Sequence, residues 1–444
     1  MFHLGWFLGN GFGIQEWSAH NGHGPWTGTN VVDWMKPDLY IDLAQNLERA
    51  GFDYILIEDT AMVEDSYNGS AEVSLRRGLM TPKNDPMPLV PLIARATEHI
   101  GVVPTVSTIQ YHPYLAARLY TTLDHLTEGR VGMNVVTSVT DRVAQNFGYT
   151  EHFPHDERYK MAMEWIDVVQ QLQSTWKPGA VLADAENGRY ADHRFVQPID
   201  FVGQYFSSRG PLNTIPGPQG VVPVVSAGGS APGRELAARF DVTQMAMCKT
   251  VEDMKEYRED IHRRARSFGR STDDIKLLFL ASPVIADTDE DAQEKKRRIE
   301  AARSSDAAIE YNLWNMSYTS GGRIDFGAID PDTPVDQIDL SKQNGENSSI
   351  ANLFQHTEGK TLRQVVASSY QITDLGLVGS PDTVAEQMGD IMDEVGGDGF
   401  LIYLPMTRRS IAEVSDGLGP ALRRRGLIRD EYQGATLKEN ILAF

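Results

Sequence analysis

The sequence predicts an α/β protein of parallel βα units, joined most simply as a closed (β/α)8 barrel. Two observations carry this reading. Eight short apolar runs recur along the 444 residues, with helix-like segments between them. Two of the runs end in turns of glycine or small hydroxyl residues. Such turns bring backbone N–H groups and hydroxyls to one rim of a parallel sheet, where α/β enzymes bind phosphorylated ligands. A doubly wound open sheet shares the same alternation and is the structural alternative.

The strand candidates lie near Leu4–Leu8, Tyr54–Ile57, Val102–Val106, Val131–Val136, Val222–Val225, Val242–Met247, Ile275–Ile285 and Phe400–Tyr403. Pro104, inside the third run, points to an edge, a bulge or a local break. The first helix, Asp38–Ala50, sets Leu39, Leu43, Asn46 and Leu47 near one face and stops at Gly51. Helical patterns follow at Pro113–Leu126, Arg158–Leu172, Gly233–Arg239, Val251–Phe268, Thr288–Ala302, Pro381–Val395 and Ile411–Arg425. Two stretches break the rhythm. Trp176–Ser208 has scattered Gly, Ala and Asp, and Arg303–Thr361 is polar and rich in Asp, Ser, Asn and Gly. Long insertions of this kind are covers or solvated excursions. The second is read as a lid over the barrel mouth; for the first, a lid and a solvated or oligomer-contact insertion both stand. The chain is expected to be one barrel domain carrying these insertions.

Composition narrows the function classes. A net charge of −20 opposes nonspecific binding to nucleic acid or anionic membranes. Cys248 is the only cysteine, which excludes an internal disulfide and a thiolate zinc cage. The start, Met1-Phe2-His3-Leu4-Gly5-Trp6, lacks the basic and apolar regions of a signal peptide, and no apolar stretch is long enough to span a membrane. A cytoplasmic protein is expected. No Gly-x-Ser-x-Gly elbow appears, and no Gly-x-Gly-x-x-Gly follows a strand to mark a nicotinamide site.

The candidate site residues sit mainly at strand ends. Glu58-Asp59 follow the second run, where a carboxylate can accept from a ring N–H or cap the next helix. Thr105 lies in the third run. Asn134-Val135-Val136-Thr137-Ser138 end the fourth, and the Asn134 amide offers both a donor and an acceptor. His155 and Tyr159 share a face if a helix starts near His155. His152 and His155, with Glu151, Asp156 and Glu157 nearby, suggest a metal, but no His-Glu-x-x-His pattern or third ligand supports one. No metal is expected, and His152 reads as a solvated turn residue. Gly228-Gly229-Ser230 join the fifth run to a helix; glycines admit close backbone approach to an anion and Ser230 adds a hydroxyl. His23, in a loop that should overhang the mouth, can donate a proton or hydrogen bond to a substrate oxygen.

Together, Glu128–Ser138, Val222–Ser230, Arg209-Gly210-Pro211-Leu212 and Glu431–Leu437 resemble the nitrilotriacetate/EDTA/dibenzothiophene-sulfone monooxygenase family of bacterial-luciferase-like FMNH2-dependent monooxygenases. The resemblance runs from about Trp26 to Leu442 and fades between about Ser304 and Leu362. It implies a (β/α)8 barrel of the luciferase type and a two-component enzyme. A separate NAD(P)H-dependent flavin reductase supplies FMNH2, and O2 is used to oxygenate a small organic substrate, often with C–N or C–S cleavage. It also implies a homodimer or homotetramer. It assigns the FMN phosphate to Gly229 and Ser230, the ring to the vicinity of Asp59, Thr105, Asn134 and Thr137, and further FMN contacts to His155 and Tyr159. It leaves His23 as the candidate catalytic group. Relatives often carry Gln where this chain has Ser226. The rivals are a deazaflavin-dependent barrel oxidoreductase and a flavin-binding protein without turnover.

Overall fold

The computed structural model describes residues 1–9, 11, 33–303, 305–344, 353–354, 357–368 and 375–444. Its eight barrel strands are β1 (His3–Leu8), β2 (Tyr54–Ile57), β3 (Gly101–Ser107), β4 (Met133–Val136), β5 (Val224–Ala227), β6 (Asp241–Ala246), β7 (Lys276–Ala281) and β8 (Gly399–Ile402). Each pairs in parallel with its sequence neighbours, and β1 closes onto β8 with His3 opposite Gly399. The open-sheet alternative therefore falls. The strands are apolar on both faces because both are covered. Tyr54, Leu56, Val103, Val225, Leu278, Leu280 and Leu401 fill the inside. Leu4, Trp6, Ile55, Ile57 and Val102 face the helical layer.

That layer includes α1 (Pro37–Ala50), α2 (Leu89–Ala96), α3 (Pro113–Leu126), α4 (His155–Gln173), α5 (Ala231–Phe240), α6 (Val251–Ser267) and α7 (Asp289–Arg303); α8 (Asp306–Thr319) belongs to the second insertion, and α9 (Pro381–Val395) returns to the layer. Gly51 ends α1 at φ 88°, a left-handed cap that favours glycine.

Two strand expectations change. Ile275–Ile285 divides: β7 ends at Ala281, and Val284–Ile285 pairs outside the barrel with Val378–Gly379. Pro283, which lacks an N–H, stands at the break. Pro104 neither breaks β3 nor marks an edge. It lies opposite Ile57 in an unbroken buried strand, and its carbonyl accepts from Tyr120 Oη at 3.0 Å.

The C-terminal helix Leu437–Ile441 closes the end of the barrel opposite the strand C-termini. Leu437 and Ile441 join the interior cluster, and the Leu437 N–H donates to Gly129 O at 2.9 Å. A Cβ at Gly101 would lie 2.5 Å from Leu437 Cδ1, so glycine is what admits the plug. Arg130, buried, donates to Thr127 O, Thr97 Oγ1 and Ala94 O, tying the end of α2 to the start of β4. Glu431–Leu437 and Glu128–Arg130 are thus architectural.

The two insertions differ. Residues 176–208 form two short antiparallel hairpins, and Glu164 on α4 accepts the N–H groups of Gln204, Tyr205 and Phe206. None of these residues is among those lining the cavity described below. The second insertion builds its own apolar cluster, including Ile309, Leu313, Trp314, Phe326 and Val335 with Tyr67 and Val73 from the β2–β3 connection.

Candidate active site

A cavity of about 420 Å3 opens at the strand C-termini. Asp59, Thr105, Asn134, Thr137, His155, Tyr159, Gly229 and Ser230 all line it. Residues scattered over 172 positions (59 to 230) meet because β2, β3, β4 and β5 are successive staves of one barrel. His23 lies outside the described residues.

The polar floor is set by a relay. Thr105 Oγ1 donates to Ile57 O at 2.7 Å, so toward Asn134 it can only accept. Asn134 Nδ2 donates to it at 2.7 Å. This fixes which way the amide faces and leaves Asn134 Oδ1 buried with no partner among the described residues. β3 and β4 supply the register, with Thr105 directly beside Asn134.

At the other end, Ser230 caps α5, accepting from the Gly233 N–H at 3.3 Å. Gly228 O accepts from Gln244 Nε2 and Tyr257 Oη at 3.2 and 3.1 Å, and Gly229 O from Arg234 Nε at 3.0 Å. With these carbonyls held by the protein, the cavity meets glycine backbone and the positive end of a helix. A Cβ on Gly228 would sit 3.0 Å from both Gly233 Cα and Tyr159 Oη, and one on Gly233 would sit 2.8 Å from Gly228 O. The cradle exists because neither position has a side chain. Arg234 stacks over Tyr257 at 4.1 Å and pairs with Asp260 at 3.2 Å.

Between these ends, Asp59 is pushed up to about 6, mainly by burial, although nearby Lys83 pulls it down. Lys83 itself binds Glu58 at 2.7 Å. Beyond β4, Ser138 adopts φ 57°, unusual for a residue with a side chain. Its conformation is held by Ser107 Oγ at 2.7 Å and by Arg158, whose Nη1 donates to Ser138 O at 2.6 Å.

Arg158 was missed by the sequence reading. It is buried, and its Nη2 donates to Asn344 O at 2.5 Å, binding the second insertion to the β4 loop. Asn344 Oδ1 also accepts from the His155 N–H at 2.9 Å, and Arg323 makes two 3.0 Å contacts to Asp141. The signal was present: Arg158 lies three residues after His155 on the same helical face. His152 is corrected. It is buried, not solvated, with Nε2 2.9 Å from Thr137 O, and burial followed by the Arg158 charge pushes it down to about 4. Among the described residues no group of three or more His, Cys, Asp or Glu is arranged to hold a metal.

The orphaned acceptor at Asn134, the glycine cradle and the capped helix fit a ring with an N–H edge joined to a phosphate, which is the chemistry of FMN.

Residues 16–399 match the luciferase-like monooxygenase family. The nitrilotriacetate monooxygenase component A of Aminobacter aminovorans is 34% identical, over 97% of this chain and 95% of that protein. The dimethyl-sulfide monooxygenase of Hyphomicrobium sulfonivorans is 33% identical, over 96% of this chain and 88% of that protein. A riboflavin lyase, crystallised with modified FMN and riboflavin, superposes with a TM-score of 0.86 at 28% identity, covering 100% of this chain and 96% of that one. The match spans most of the barrel and the loops that build the cavity, and the chain belongs to the luciferase-like monooxygenase family.

Proposed function

We propose that this chain is the oxygenase of a two-component monooxygenase that binds FMNH2 and oxygenates a small organic substrate, with C–N or C–S cleavage among the possible outcomes. The observation that carries the cofactor assignment is the buried, unpartnered Asn134 Oδ1 in the same cavity as the Ser230-capped glycine turn. Bound FMNH2 supplies two electrons and two protons, so that with O2 one oxygen atom enters the substrate, the other leaves as water and oxidised FMN remains.

The protein's part is orientation and exclusion of water. Asn134 accepts from the ring edge, with Thr105 fixing its amide. Gly229 and Ser230 hold the phosphate, Thr137, His155 and Tyr159 flank the cofactor, and Asp59 stands at the ring end as a carboxyl that changes charge near pH 6. His23 is the candidate proton donor to oxygen. The second insertion, through Tyr318 in the cavity wall and the Arg158–Asn344 contact, acts as the cover. A separate NAD(P)H-dependent flavin reductase supplies FMNH2, consistent with a sequence that carries no nicotinamide fingerprint. A cytoplasmic homodimer or homotetramer is part of the same reading; among the described residues no helix is long and apolar enough to cross a membrane.

The test is oxygen uptake and product formation by the purified chain with FMN, NADH and a generic flavin reductase, alongside titrations with FMN and FAD. Preference for FAD, or activity only with a deazaflavin and no oxygen, would overturn the proposal.

A further inference from the structure

We infer that the substrate is an uncharged, mainly apolar organic molecule and not a polycarboxylate; this rests on the FMN-dependent reading above and refines it.

The first support is charge. Among the described residues, Arg158, Arg234 and Lys249 are the lysine and arginine side chains lining the cavity, and Glu58, Asp59, Asp253 and Glu256 line it too. The cations are engaged, Lys249 among them. Arg158 donates to Ser138 O, Val139 O and Asn344 O. Arg234 is held by Asp260 and Gly229 O. Neighbouring Lys83 is bound to Glu58. A bound flavin phosphate moves the balance further toward negative. The stretches 12–32, 345–352, 355–356 and 369–374 contain no lysine or arginine. An anionic substrate would enter a negative site without, among the described residues, a free guanidinium or ammonium to receive its carboxylates.

The second support is the wall left over. With the flavin assigned to the β2–β5 sector, the flanking staves are β1 and β6. Phe7 on β1 and Met245 on β6 have the inward parity of the barrel interior, and both line the cavity. Tyr403, just beyond β8, meets Phe7 edge-on at 5.6 Å. Met247, which lines the cavity, and Tyr403, which packs on Phe7, remain 43% and 45% exposed. Aromatic and thioether surface of this kind is covered most favourably by an apolar ligand.

Equilibrium binding of dibenzothiophene sulfone, dimethyl sulfide and octane is compared with that of nitrilotriacetate and its Mg2+ complex, on the protein with and without FMN. FMN binding is followed separately by flavin fluorescence, so a failed cofactor assignment is distinguished from a wrong substrate class. At least one neutral probe should bind with a Kd tenfold or more below that of either polycarboxylate form. Met247→Arg, which adds a cation to the same wall, should narrow that gap at least tenfold. Tighter binding of the polycarboxylate, no binding of any neutral probe, or a gap unmoved by Met247→Arg would overturn the inference.

Discussion

Ser230→Asp separates the electrostatics of the proposed phosphate site from its architecture. Ser230 has two duties: it caps α5 through the Gly233 N–H, and it lines the cavity where the phosphate is assigned. Aspartate is as good a cap as serine, so the helix should survive. Alanine would remove the cap, at about 0.5–2 kcal/mol of stability, together with one bond to a charged group, about 1.5–3 kcal/mol of binding. Aspartate instead places a negative charge beside the phosphate. At about 4 Å and an effective dielectric of about 20, the repulsion is on the order of 4 kcal/mol per unit charge. That is about a thousandfold in Kd, and an upper figure, since the carboxylate can swing toward solvent. Fluorescence titration with FMN and with riboflavin, at low and high salt, reads the effect. FMN affinity should collapse, part of the loss should be recovered at high salt, and riboflavin, which has no phosphate, should bind as in the parent. Unchanged FMN affinity in a folded Ser230→Asp protein, or equal losses for both flavins, would refute the placement of the phosphate and of the flavin with it.

Thr105→Val should destabilise the fold by about 2–4 kcal/mol in urea, because Ile57 O and the Asn134 amide each lose a buried partner; a loss below about 1 kcal/mol would remove the relay. Asp59→Asn tests the raised carboxyl. A folded pKa of about 6 against an unfolded value near 3.9 means that Asp59 contributes fully below about pH 4 and that this contribution is lost as pH rises through about 6. The variant should therefore match the parent at pH 4 and exceed it by up to about 3 kcal/mol at pH 8, measured by urea unfolding at both values; equal stability at pH 8 would mean that Asp59 is solvated. Hydrogen exchange over residues 305–344 should slow when FMN binds, since Arg158 and Asn344 join that insertion to the cofactor loop; identical exchange in both states would leave the insertion a fixed part of the structure and not a lid.

The sequence showed the barrel clearly because a strand covered on both faces must be a short apolar run, and each of the eight runs became a stave. The cavity was legible for the same reason: Asn134, Thr137 and Ser230 stand at strand ends, which fold together on one rim. What escaped was set by distant partners. His152 looks like a loop residue until Arg158 and Thr137 enclose it. Pro104 looks like a break until barrel closure leaves no edge for it to occupy. The second insertion reads as polar, yet Trp314 and Phe326 find a core with Tyr67 and Val73 far upstream. The blocks Glu128–Arg130 and Glu431–Leu437, which carry part of the resemblance, bear no site residue and lie at the far end of the barrel.

The seam between β1 and β8 has a consequence for biosynthesis. His3 lies opposite Gly399, so the first strand made must wait for 399 − 3 = 396 further residues before its second neighbour exists. At about 5–20 residues per second that delay is roughly 20–80 s. Throughout it, a growing half-sheet carries an uncovered apolar strand with a free edge, a template for pairing with other nascent chains. Slow translation prolongs that exposure and chaperone capture shortens it. The yield of folded protein should therefore rise when translation is faster or chaperones are more abundant, with the finished barrel unchanged.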